Sequence, residues 1–271
     1  MGIYDRDYFR TSSRGGFGAF AMWSVTTWLI VINIAVFVID SLLRRAARQD
    51  FVWSPGDVDP LIVWKAMMGP LQRWGYFSQD TAIHHLQLWR FITFQFLHAS
   101  PSHLLWNMLG LFFFGPILEG HFGPRRYLAF YLSCGVAGAM FYLGLGALRL
   151  LDADPTTPLV GASAGIVGVL IGAARFAPNM QVWLWFFPIR LRVLAIIYLG
   201  WAVLVIISGD PGTNAGGEAA HLGGGLWGLV LVMNQHWLNF VEPRPRMRLA
   251  GTGRRRRVQR HQKDWSKDFN R

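Results

Sequence analysis

Charge and cysteine are what this chain has least of. Only 15% of its 271 residues are Asp, Glu, Lys or Arg, against about 25% in an average soluble domain. A single cysteine, Cys134, excludes an internal disulfide and, lying in an apolar run, reports nothing on redox compartment. No H-E-x-x-H is present, which excludes a zinc protease of that type. His98 and His103 have no glutamate between them, and His84-His85 sit in a polar loop, so the sequence calls for no metal. No glycine-rich phosphate loop follows a strand, so it calls for no cofactor either. No repeat of fixed period occurs.

Apolar residues take up the space that charge leaves. They make up 52% of the chain, with 13 Trp and 20 Phe, which excludes a disordered or collagenous chain. The net charge of +11 would suggest nucleic acid if it were spread evenly. Residues 241–271 hold 11 Lys and Arg against 3 Asp and Glu, so +8 of the +11 lies in that tail. A polybasic tail beside a membrane is drawn to anionic lipid, and this partner is favoured over nucleic acid.

A bilayer core of about 30 Å takes roughly 20 residues of helix. Six runs fit: 25–43, 103–120, 126–148, 159–176, 191–208 and 218–240. The chain therefore divides into a cytoplasmic segment 1–24, a six-helix membrane domain 25–240 and a cytoplasmic tail 241–271. The 44–102 stretch is a long first loop, too polar to span. The first run lacks a small-residue cleavage site and is expected to be retained. Basic residues gather in the 121–125 and 177–190 loops and at their edges, among them Arg125, Arg126, Arg190 and Arg192. Asp152, Asp154 and Asp210 mark the opposite loops. Both termini are thus expected in the cytoplasm, although Arg44, Arg45 and Arg48 fall on the other side. Early acids, Asp5 and Asp7, are unlike a mitochondrial transit peptide, and the expected location is a bacterial inner membrane.

Ionisable side chains inside a span mark function by default. Asp40 is expected to reach the interface, Glu119 to pair with Arg125 or Arg126, and His236 to lie at the interface. Four others gather toward the outer side: His103 and Asn107 on one face of the second span, Ser163 at the start of the fourth, and His221 near the start of the sixth. A serine hydroxyl becomes a nucleophile only with a base in reach. Amide and imidazole donors beside it can hold a developing oxyanion, each worth about 3 kcal/mol. Gly161, Gly165, Gly168 and Gly172 face a second stripe of Gly217, His221, Gly224 and Gly228. Small residues at that spacing let membrane helices pack backbone to backbone and would bring Ser163 to His221. The bland alternative is that the stripes only pack helices and Ser163 bonds its own backbone. G-x-S-x-G also marks the elbow of α/β-hydrolases, but here no strand–helix alternation surrounds it.

Over roughly residues 85–240 the chain resembles the rhomboid family of intramembrane serine proteases. The resemblance rests on Trp89-Arg90 in the first loop, His103-x-x-x-Asn107 on the second span, Gly161-Ala-Ser163-Ala on the fourth, and Ala220-His221-x-x-Gly224-x-x-x-Gly228 on the sixth. It implies an all-α six-helix membrane bundle with a long first loop, and a Ser163–His221 dyad with no acidic third member. His103, Asn107 and the Ser163 N–H would form the oxyanion hole. Trp89, Arg90 and His98 would be structural or supporting, His98 as a structural or water-retaining residue. Substrates would be membrane-anchored proteins cut near the outer face at a small residue in a helix that unwinds easily. The first-loop portion 49–80 and the tail carry no match. Two other classes compete: a rhomboid-like pseudoprotease acting as a membrane-protein binding or dislocation factor, and a small transporter, for which paired midplane charges are lacking.

Overall fold

The computed structural model describes residues 23–46, 67–151, 154–184, 187–209 and 213–242. Within them six long helices form one bundle: α1 (Val25–Ala46), α4 (Pro101–Phe122), α5 (Pro124–Ala147), α6 (Ser163–Phe176), α7 (Leu191–Ser208) and α8 (Ala215–Met233). The first loop adds two short helices, α2 (Pro70–Gly75) and α3 (Arg90–Thr93), with a π-helical turn Asp80–His84 between them. A hairpin of β1 (Gln181–Leu184) and β2 (Phe187–Arg190), pairing Gln181 with Arg190 and Leu184 with Phe187, joins α6 to α7. Residues 1–22, the loop portion 47–66 and the basic tail from 243 onward, on which several sequence expectations fall, lie outside the described residues.

Three helices, α1, α5 and α7, are long and apolar enough by themselves to cross a membrane. The others coincide with expected spans but carry the polar residues or run short. α6 is the centre of the bundle. It packs against α4, α5, α7 and α8, and every residue from Ala164 to Ala174 is buried. At 1.5 Å per residue its 14 residues rise about 21 Å, less than the bilayer core.

The helix bounds depart from expectation where a side chain or turn intervenes. The fourth span is helical only from Ser163. Residues 159–161 run extended, because Phe77 and Leu159 exchange backbone hydrogen bonds of 3.0 and 2.6 Å and the Gly161 N–H donates to Phe94 O at 2.9 Å. The sixth begins earlier, since Asn214 Oδ1 accepts from the Gly217 N–H at 3.0 Å and caps it. It ends earlier too: Asn234 Nδ2 donates to Val230 O at 2.9 Å, and a 3-10 turn, Gln235–Val241, carries the exposed His236. α1 runs on to Ala46, α4 starts at Pro101 with Ser100 as its cap, and α5 starts at Pro124.

Two acids near helix ends have partners that the sequence does not predict. Asp40 is 4% exposed and caps α2, accepting from the Leu71 N–H at 2.7 Å and the Gln72 N–H at 3.4 Å. The partners recorded for Glu119 lie at the start of α1, not at Arg125 or Arg126. It accepts from the Val25 and Thr26 N–H groups at 2.7 and 2.9 Å and from the Thr26 hydroxyl at 2.7 Å. The first amides of a helix have no partner within it, so each carboxylate answers backbone donors rather than a distant cation. Arg126 donates to Asn239 Oδ1.

Candidate active site

Ser163 is the first residue of α6, placed there by the turn at Gly161. That glycine has φ of +132°, a conformation that side chains rarely adopt. α6 and α8 then cross at contact distance. A Cβ on Gly224 would lie 2.2 Å from Ala164 O, and one on Gly228 would lie 2.8 Å from Gly168 Cα. This approach brings His221 Nε2 to 2.7 Å from Ser163 Oγ. Both side chains are partly buried.

The imidazole is held on its other nitrogen as well. His221 Nδ1 lies 3.0 Å from Glu218 Oε2 and 3.2 Å from the Tyr198 hydroxyl. The family resemblance implied no acidic partner, so the carboxylate is a departure. Glu218 stands three residues before His221 on one helix face, a spacing that could have been found in the sequence. Tyr198 comes from α7, 23 residues away, and no sequence pattern joins it to His221.

His103 approaches from α4. Its Nδ1 accepts from the Ala99 N–H at 3.4 Å, which leaves the proton on Nε2. That edge faces Gly161, whose added Cβ would be 2.8 Å from His103 Nε2 and 3.4 Å from Ser163 Oγ. Asn107, one turn on, is buried and donates Nδ2 to His103 O at 2.9 Å. The start of α6 has no side-chain cap, so its first amides and the positive end of the helix dipole add donors beside Ser163. His103, Asn107, Gly161, Ser163, Tyr198 and His221 line one cleft of about 650 Å³, which runs between α4 and α7 as far as Val182 and Trp183 of the hairpin.

The remaining predicted residues build the loop. Arg90 is 6% exposed and donates to Gln87 Oε1, Tyr76 O and Arg73 O, with its guanidinium 4.6 Å from the Tyr76 ring centre. Trp89 stacks on Trp74 at 5.9 Å and donates Nε1 to Trp74 O at 3.3 Å. His98 is buried, its backbone carbonyl accepting from Gln72 Nε2 at 2.7 Å and its ring edge-on to His103 at 5.2 Å. Burial, with His103 beside it, pushes its pKa down to about 3. Among the described residues no group of three His, Cys, Asp or Glu stands where it could hold a metal.

Comparison with known proteins bears on the same stretch. A family model described as "Rhomboid domain" matches residues 85–237. RHOMBOID-like protein 12, mitochondrial, of Arabidopsis thaliana is 31% identical over 183 residues, covering 59% of this chain and 53% of that protein. RHOMBOID-like protein 1 of the same plant is 27% identical over 229 residues, 79% of this chain and 54% of the relative. A third, named Inactive RHOMBOID-like protein 8, is 28% identical over 149 residues, 54% of this chain and 39% of its own length. The chain thus spans about half the length or less of these three relatives.

Proposed function

This chain belongs to the rhomboid family and is an integral membrane protein, and from that premise we propose that it is an intramembrane serine endopeptidase. The observation that carries the reading is the 2.7 Å contact between Ser163 Oγ and His221 Nε2. It meets the requirement of hydroxyl nucleophiles for a base within hydrogen-bond reach.

In this reading Ser163 Oγ attacks the scissile carbonyl carbon while His221 Nε2 takes the hydroxyl proton. The carbonyl oxygen gains the negative charge. His103 Nε2–H, the Asn107 amide and the Ser163 N–H are its donors, and preorganised donors of this kind cost no reorganisation as the charge develops. When the C–N bond breaks, His221 returns the proton to the leaving amine. Water, activated by the same imidazole, then frees the acyl group from Ser163.

The substrate class we propose is a transmembrane or membrane-anchored protein. The cleft is lined mainly by apolar side chains such as Trp106, Phe113, Leu170 and Leu194, which suits a segment that arrives from lipid. A peptide bond in a stable helix has its carbonyl hydrogen-bonded, so the segment must unwind before attack. The loop charges support cytoplasmic termini, and the bacterial inner membrane expected from the sequence stays part of the proposal. The test is a fluorophosphonate probe on detergent-purified protein beside Ser163→Ala and His221→Ala. Labelling of the wild type that both variants lose supports the reading. No labelling of folded wild type, together with no cleavage of a model transmembrane substrate in liposomes, overturns it in favour of a non-catalytic binding or dislocation role.

A further inference from the structure

We propose that Glu218 is the positioning residue for His221, making a Ser163–His221–Glu218 relay in which the acid sits on the histidine's own helix. The inference rests on the protease reading above. A neutral imidazole carries one proton. For Nε2 to take the proton of Ser163, its lone pair must face Oγ and the ring proton must sit on Nδ1. An ionised carboxylate only accepts hydrogen bonds, whereas the Tyr198 hydroxyl can donate or accept. With Glu218 Oε2 at 3.0 Å and Tyr198 Oη at 3.2 Å, the carboxylate is the group that fixes the tautomer.

Three features favour an effective Glu218 carboxylate. It lies in the first turn of α8, where the helix dipole stabilises negative charge. Its side chain is 17% exposed and that of His221 14%, so their attraction is less screened by water than on an open surface. The cap made by Asn214 fixes the turn from which Glu218 projects. During attack the proton moves from Oγ to Nε2, the Nδ1 proton stays on the ring, and the imidazolium so formed faces the Glu218 charge. No proton passes to Glu218, as in the triad template. The groups that face His221 are Glu218 on α8, Tyr198 on α7, Ser163 on α6 and His103 on α4.

The experiment compares the full chain in detergent with Glu218→Gln and Tyr198→Phe, the His221→Ala variant serving to assign the His221 signal. Probe-labelling rate is followed against pH, and ¹⁵N-labelled histidine is read by NMR. Glu218→Gln is expected to slow labelling about 10-fold to 100-fold, less than the ~10⁴-fold of a buried triad aspartate, since Tyr198 still contacts Nδ1. Because the imidazolium formed during attack loses its negative neighbour, the acidic limb of the labelling profile is expected to move to lower pH. The His221 nitrogen shifts lose the pattern of an Nδ1-protonated ring, and Tyr198→Phe leaves the limb in place. The proposal is overturned if Glu218→Gln labels at the wild-type rate. It is equally overturned if labelling falls with melting temperature while limb and nitrogen shifts stay put, or if Tyr198→Phe alone moves the limb. Wild type that never labels sinks the protease reading instead, and the nitrogen shifts then still decide whether Glu218 sets the tautomer.

Discussion

Gly161 and His103 stand so close that nothing larger than hydrogen fits between them: a Cβ on Gly161 would lie 2.8 Å from both Cε1 and Nε2 of the His103 ring. Gly161→Ala therefore meets two penalties. The φ of +132° costs on the order of 1–3 kcal/mol for a side chain, and the His103 ring must swing off its position beside Ser163. Probe labelling is expected to fall at least 10-fold, a loss of about 1.4 kcal/mol or more in transition-state stabilisation, with helix content by circular dichroism unchanged.

The helix crossing behind the serine separates two neighbouring glycines. A Cβ on Gly224 would run into Ala164 O at 2.2 Å, which is backbone. One on Gly225 would meet the Leu199 and Val167 side chains at 2.9 and 3.1 Å, which can turn aside. Gly224→Ala is expected to cost about 1–3 kcal/mol, the range of an overpacked core, and Gly225→Ala clearly less. Thermal melting in detergent orders the two, and labelling should fail in Gly224→Ala because Ser163 and His221 ride on the separated helices.

His98 gives a pH signature. Its folded pKa is down to about 3 against an ordinary 6.5. The unfolded chain thus binds the proton first, and stability is lost as pH falls from about 6.5 toward 3, by at most about 1.4 kcal/mol per pH unit. His98→Gln, which does not titrate, should flatten that acid-side loss. Melting temperatures of the two proteins at pH 7 and pH 4.5 check it; equal slopes would remove His98 from the account.

Glu119 caps α1 from another helix. Glu119→Ala leaves two backbone amides and a threonine hydroxyl without their acceptor, at a cost of about 1–3 kcal/mol. Melting should fall while the labelling rate per folded molecule holds, because the residue is remote from Ser163.

Much of the bundle could be read from apolar run length, and α7 spans 191–208 as the sequence predicts. Ser163 and His221 were legible because a nucleophile, a base and two glycine stripes recur at one depth. What escaped was mostly set by partners that no run length or glycine stripe marks. The Phe77–Leu159 pairing shortens the fourth helix, and it joins residues 82 positions apart. From sequence alone Asp40 is expected at the interface and Glu119 beside Arg125 or Arg126, because hydropathy counts a carboxylate as polar whether it meets water, a cation or a helix end. Glu218 is visible in its three-residue spacing from His221, but the family likeness implies no acid at that place.

α1 is fastened at both ends, by Glu119 of α4 at its start and by its own Asp40 to the first loop near its finish. The α4 side of the cleft is thereby braced by two sets of charge-assisted bonds. α7 leaves Ile196, Trp201, Leu204 and Ile207 exposed on its outer face and packs against α8 and α6. The helix that carries His103 and Asn107 is thus anchored through α1 to the first loop, while α7, which carries Tyr198, meets the cleft from the opposite side.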